Sequence, residues 1–203
     1  MQNNFDFVPK HYAAREQAEI KDVLMNPNGT GPAIHYYMIR GGVDQKNITV
    51  WEPGTISGEY IKTYGHYHVG ELEEDYEILF GEGVALLQKL SIDKNGNMLA
   101  NSVEEFRAII VKPGDKIHMA PSYGHLLANT GSTYFVTVDN SPVNFEEGKN
   151  SADFPGHADY QLVKEMHGFA YYVVEHKGKP VLKKNPNYKE ILKEDLGGLP
   201  VIE

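Results

Sequence analysis

Three histidines and one glutamate, drawn from two distant stretches, carry the most specific chemistry in this chain. Thr63 to Gly83 reads TYGHYHVGELEEDYEILFGEG, with His66 and His68 two residues apart. Residues i and i+2 of a strand share a face, so both imidazoles point the same way. An acidic cluster follows, Glu71, Glu73 and Glu74, and then the alternating run Asp75 to Phe80. A His-x-His pair with a carboxylate at the head of the next strand offers nitrogen and oxygen donors suited to Fe, Mn, Ni or Zn. A His-x-His pair alone equally fits a half-exposed strand, and an acid run equally fits a solvated loop. The fourth donor is His125, far downstream in GDKIHMAPSYGHLLAN (114–129), where it follows a Pro/Gly turn and opens a strand. The candidate donors are therefore His66, His68, His125 and one acid of the cluster, with Glu74 the first choice. Glu74 is preferred over Glu71 and Glu73 because it shares strand parity with Tyr76 and Ile78.

The elements that must position these residues are strands. Ala33–Arg40, Asn47–Trp51, Val84–Leu90, Phe106–Val111, Lys116–Met119, His125–Asn129 and Thr133–Asp139 read as strands separated by Gly- and Pro-containing turns. Asn95-Gly96 marks a hairpin, and 168–175 with 179–182 forms a second one. Short strands at such intervals indicate a sandwich or barrel. Apolar residues at helical spacing predict a helix over 11–25, an appendage to the strand run, and a short helix over 161–167. The charged stretch 188–196 is a further candidate helix. The expected organisation is one domain: an arm and helix over 1–32, a β core over 33–184 and a tail over 185–203.

Composition excludes several classes of function. The 203 residues include no cysteine, so neither disulfides nor thiolates are available and any metal must rest on nitrogen and oxygen donors. A net charge of −9 argues against nucleic acid as a partner. No apolar run reaches membrane-spanning length, and the N-terminal stretch lacks the apolar core of a secretion signal. A soluble cytoplasmic protein is expected.

The two histidine stretches resemble the paired motifs of the cupins. The first is G-x-H-x-H, a glutamate, six residues and a glycine, here His66, His68, Glu74 and Gly81; the second ends in a Pro/Gly turn, His, three residues and Asn, here His125 and Asn129. Five residues separate His68 from Glu74, a longer spacer than most cupins have. With Thr63, Gly65 and Tyr76, this pattern resembles the cupin-type glucose-6-phosphate isomerases of archaea and some bacteria. That family has an upstream phosphate-contacting threonine before a Pro-Gly turn, matched by Thr49 and Pro53-Gly54. It also has a downstream Gly-His segment with a nearby tyrosine, matched by His157 and Tyr160. The chain departs from the pattern twice. Ile34-His35-Tyr36-Tyr37 leaves open which of His35 and Tyr36 takes the place of an active-site tyrosine. Asp139-Asn140-Ser141 stands where the family has another tyrosine.

The resemblance implies an all-β cupin barrel or jelly roll with an N-terminal helical segment. It implies a homodimer with one divalent ion per subunit, iron first and Mn, Ni or Zn as alternatives. The implied reaction is the interconversion of glucose 6-phosphate and fructose 6-phosphate. In that chemistry the C2 proton becomes acidic once the adjacent carbonyl is polarised. Glu74 is then either the base that leads to an enediolate or only a ligand in a metal-assisted hydride shift. Thr49, Thr63, Gly65, Tyr76 and Tyr160 become substrate contacts, and His157 a candidate for ring opening. Without the family pattern, the threonines and tyrosines read as ordinary strand residues. Two other readings compete, an iron dioxygenase and a non-catalytic sugar-binding cupin.

Overall fold

A computed structural model describes residues 12–41, 46–142 and 158–203. A six-stranded antiparallel sheet runs, in spatial order, Tyr12–Glu16, Ile34–Ile39, Asn47–Trp51, Phe135–Asp139, Glu74–Phe80 and Lys116–Met119. A second sheet centres on the antiparallel strands Tyr123–Asn129, Gly83–Ile92 and Met98–Val111. A third sheet holds the Tyr171–His176 and Lys179–Lys184 hairpin against Glu59–Tyr60. Side chains from all of these fill one core, including Trp51, Ile78, Leu86, Phe106, Phe135 and Phe169. The result is a β-sandwich, as the strand pattern implies, and it is consistent with the cupin-like architecture that the motif resemblance implies.

The turn chemistry explains the longest hairpin. The Oδ1 of Asp93 accepts from the backbone N–H of Asn95 and of Asn97, and Gly96 takes φ +85°, which a side chain would resist. At Gly81, which closes the first motif, φ is +80° and an added Cβ would meet the Tyr134 carbonyl oxygen at 2.3 Å.

Two expectations fail at the chain's ends. The helix expected over 11–25 is instead a strand, Tyr12–Glu16, followed by a single helical turn, Gln17–Ile20, and a 3-10 turn, Lys21–Val23. So short a helix has little stability of its own, whereas the open edge of Ile34–Ile39 offers a full ladder of backbone bonds. Nor is the segment an appendage. Ile20, Val23 and Leu24 are buried in the core. The Nζ of Lys62, itself buried, donates to the Val23 carbonyl at 2.8 Å, and the buried Glu59 carboxylate accepts from the Met25 N–H at 2.6 Å. The Lys62–Glu59 ion pair spans 3.6 Å.

The stretch 188–196, a candidate helix, forms two short strands, Glu190–Ile191 and Glu194–Asp195, that run parallel to Met98–Val111. Backbone bonds from Lys189 to Asn101 and from Leu192 to Val103 cover an edge that would otherwise lie open. The expected short helix is present as Gln161–Glu165.

His35 is fully buried beside Lys62. Burial, and then the Lys62 charge, push its pKa down from 6.5 to about 4. The folded state holds the ring neutral, so between these values the unfolded chain binds more protons. This contribution is complete above pH 6.5 and is lost as the pH falls towards 4. The shift is worth on the order of 3 kcal/mol. Relative to a His35→Leu variant, the metal-free wild type should therefore lose about that much stability between pH 7 and pH 4 in urea unfolding. Parallel pH profiles for the two proteins would refute the assignment.

Candidate metal centre and substrate cavity

Residues 61–66 lie antiparallel to 125–129 in a run of single contacts. Asn129 N–H bonds to the Ile61 carbonyl and Thr63 N–H to that of Leu127, while His66 and His125 exchange both backbone bonds, at 3.2 and 3.0 Å. Gly65 makes the approach possible. Its φ is +81°, and a Cβ there would sit 3.0 Å from the Phe169 ring and 3.2 Å from the Leu126 Cβ. Strand parity then sorts the side chains. Tyr67 turns into the core, where its hydroxyl accepts from Gln88 Nε2 at 2.7 Å, while His66 and His68 face the other way.

Glu74 heads the strand Glu74–Phe80 and is buried, whereas Glu71 and Glu73 are exposed. Ligand atoms of His66, His68, Glu74 and His125 all lie within 4.8 Å of one another. The Nε2 of His68 is 2.9 Å from Glu74 Oε2, and the Nε2 of His125 is 3.3 Å from the same oxygen. The ring centroid of His66 lies 4.8 Å from that of His68 and 4.5 Å from that of His125. The other polar residue of the second motif, Asn129, has a different task. Its amide donates to the carbonyls of Glu52 and Thr133 and accepts from Gly131 N–H, pinning the turn after the strand.

The electrostatics favour a cation. Burial alone would push the Glu74 carboxyl up. Against it, the charge of His125, the hydrogen bond from His68, and the charges of His66 and His68 pull the carboxyl well below the ordinary range. Burial lowers His125 to about 4, against the opposing pull of Glu74, and lowers His66 further. These rings are held neutral, the state in which imidazole ligates metals. Both ring nitrogens of His125 are buried without a hydrogen-bond partner. Orphaned buried nitrogens facing a carboxylate fit a divalent ion held by His66, His68, Glu74 and His125.

Beside this group opens a cavity whose lining includes Thr49, Thr63, Gly65, Tyr76 and Tyr160, all five candidate substrate contacts, together with His66 and His125. The Thr63 hydroxyl accepts from Leu127 N–H at 3.2 Å, which fixes the oxygen and leaves its proton free to donate. Tyr160 packs edge-on against Tyr64, ring centroids 5.1 Å apart, and lies 5.6 Å from His66. His157, the remaining candidate, lies outside the described residues.

Of His35 and Tyr36, the two alternatives for the early strand, Tyr36 lines the cavity. The cavity also holds two residues that sequence reasoning left out, Trp51, whose buried indole N–H has no partner, and Arg40. The signal for Arg40 was available: it continues the i, i+2, i+4 series of Tyr36 and Met38 just past the strand end. Asp139, in the place of the family's tyrosine, is buried opposite Tyr76 in the ladder. Burial and the Glu74 charge raise its carboxyl to about 6, against the Asn47 hydrogen bond and the Arg40 charge.

Fold and site together define a cupin-like β protein with a candidate three-histidine, one-glutamate metal centre at the edge of a polar cavity. The sequence profile of the Glucose-6-phosphate isomerase (GPI) family matches residues 37–190, and the chain belongs to that family. The glucose-6-phosphate isomerase of Thermococcus litoralis is 32% identical over 142 residues, a match that covers 70% of this chain and 62% of that protein. That of Pyrococcus furiosus is 28% identical over 143 residues, covering 70% and 63%. In both cases the match spans less than two-thirds of the relative's own length. Among solved structures, a predicted oxalate decarboxylase from Thermotoga maritima overlaps 65% of this chain and 93% of that one, with a TM-score of 0.38 and 18% identity.

Replacing one imidazole should expose the ligand set directly. After anaerobic loading with Fe²⁺ or Mn²⁺ and desalting, His66→Ala and His125→Ala should retain on the order of a tenth or less of the wild-type metal by elemental analysis. Glu73→Ala, which removes an exposed acid, should retain all of it. Full occupancy in either histidine variant would overturn the set.

Proposed function

We propose that this protein is a metal-dependent aldose–ketose isomerase that interconverts glucose 6-phosphate and fructose 6-phosphate. The observation that carries the reading is one cavity that combines the His66/His68/Glu74/His125 group with the hydroxyls of Thr49, Thr63 and Tyr76. Family membership supplies the substrate. Iron is the proposed ion, and the donor set accepts Mn, Ni or Zn as well. In this reading the protein acts in the cytoplasm as a homodimer. That no described helix is long and apolar enough to cross a membrane is compatible with it.

When bound, the ion supplies the Lewis acidity that polarises the sugar carbonyl. The chain's own groups do the rest. Thr49, Thr63 and the N–H region of Gly65 offer neutral donors to the phosphate and set the distance from it to the reacting carbons. Tyr76 stands over Glu74 and keeps its own proton, because burial, Glu74 and Asp139 all raise its pKa. It is therefore a donor to a sugar oxygen rather than a base. Glu74 is the group placed to take the proton from C2 and return it at C1. Its histidine neighbours keep it ionised against the pull of burial. A dioxygenase site is the weaker reading, because hydroxyl donors and a guanidinium line the cavity where an O₂ site would be apolar.

Two measurements test this function. In the wild type, conversion of fructose 6-phosphate in D₂O should place deuterium at C2 of the aldose product, and metal-loaded Glu74→Gln should lose on the order of 10²–10⁴ in kcat. No exchange, combined with a near-normal rate in Glu74→Gln, would leave Glu74 as a ligand only and favour the hydride shift. For the phosphate, Thr63→Val should raise KM for fructose 6-phosphate on the order of tenfold, while Thr63→Ser stays near the wild type. Equal turnover of fructose and fructose 6-phosphate by the wild type would remove the phosphate site.

A further inference from the structure

Arg40 is poised for a ligand. It lies just beyond the strand Ile34–Ile39, on the face shared by Tyr36 and Met38, and lines the cavity with them. It is the one Lys or Arg among the described residues of that lining. Its charge is felt at His66, Tyr76 and Asp139. Yet its guanidinium is weakly committed. Nη1 stands 3.8 Å from Asp139 Oδ2, beyond hydrogen-bond reach, and Nη2 donates to the Met38 thioether at 3.2 Å, a poor acceptor. Five donors in a fork match a carboxylate or phosphate in pairs, and here most of the fork is open. The side chain is 35% exposed, so a ligand can reach it.

The partner carboxylate is anchored while the guanidinium is not. Asp139 Oδ1 accepts from Asn47 Nδ2 at 2.6 Å and from Ser141 N–H at 3.1 Å. Oδ2 is buried with no hydrogen-bond partner. Asp139 thus pairs with Arg40 only loosely, at 3.8 Å, which keeps the guanidinium near the cavity without closing its fork. The nearby arginine of the neighbouring strand, Arg15, is more firmly held, since it lies by Tyr36 and pairs with Glu19 at 3.3 Å, although its buried Nε has no hydrogen-bond partner. Charge balance points the same way. A divalent ion would do no more than offset the charges of Glu74 and Asp139, which leaves a phosphate dianion to neutral hydroxyls unless Arg40 meets it.

We propose that Arg40 is a substrate-binding residue, the fixed positive charge that takes the phosphate of the sugar phosphate, with Asp139 as its positioning residue. The proposal rests on the reading of the cavity as a sugar-phosphate site, and the test separates the two. Binding of sorbitol 6-phosphate and of sorbitol to metal-loaded protein is measured by calorimetry, beside KM and kcat for fructose 6-phosphate. Arg40→Gln should weaken sorbitol 6-phosphate binding and raise KM by on the order of tenfold to a hundredfold, with sorbitol binding, metal content and melting temperature unchanged. Arg40→Lys should recover part of the loss, since it restores the charge without the fork. Asp139→Asn should raise KM severalfold and leave kcat close to the wild type. A purely structural arginine would instead lower the melting temperature or metal content of Arg40→Gln while KM stays within twofold, and that result overturns the proposal. So does equal weakening of sorbitol and sorbitol 6-phosphate, or a wild type that binds no phosphate ester. A wild type that binds sorbitol 6-phosphate through Arg40 but turns over no fructose 6-phosphate would sink the isomerase reading and leave Arg40 standing.

Discussion

The reciprocal pair of backbone hydrogen bonds between His66 and His125 is the contact on which the site depends. It joins two stretches that belong to different sheets of the sandwich, and it fixes their register. A slip of one residue would turn His66 and His68 into the core and bring Tyr67 to the cavity. The register is held from both sides. Lys62 bridges Ala128 and Asn129 bonds back to Ile61, while Gly65 supplies the left-handed step that brings the histidine segment into line. The candidate metal group is thus a by-product of strand pairing.

That arrangement has an electrostatic cost. Three imidazoles crowd one carboxylate in a dry place, and a second carboxylate, Asp139, lies near enough to feel the first. No assignment of protons satisfies every group: neutral rings leave His125 without partners, and charged rings would be buried. A doubly charged ion answers both problems at once. Local frustration of this kind concentrates at functional sites in folds that are elsewhere consistent with their sequence.

Much of this was legible in the sequence, and the residues show why. The grouping of these side chains could be read because strand periodicity is two, so spacing places His66 with His68 and separates Glu74 from Glu73. The Asp93–Asn97 hairpin could be read because its turn chemistry is local. The opening strand could not: Tyr12–Glu16 has a helix-compatible pattern, and its fate is decided by the edge of Ile34–Ile39, distant in the chain. The same holds for the tail, whose two short strands answer to an edge of Met98–Val111. Arg40 and Asp139 were readable as residues but not as a pair, since their relation arises only where three strands of one sheet meet.

The segment from Ile20 to Met25 closes over the back of the cavity strand, and its grip is polar. Two buried charges, Lys62 and Glu59, reach for its backbone, the one for a carbonyl and the other for an amide. Such a closure opens as a unit, because lifting either end strands a charge that the other still holds in place. In native-state hydrogen exchange the amides of Met25, Thr63 and Leu127 would then share one opening event, although they lie on three separate pieces of chain. The segment is thus latched by ions from within the sandwich, and the latch sits one residue from Thr63.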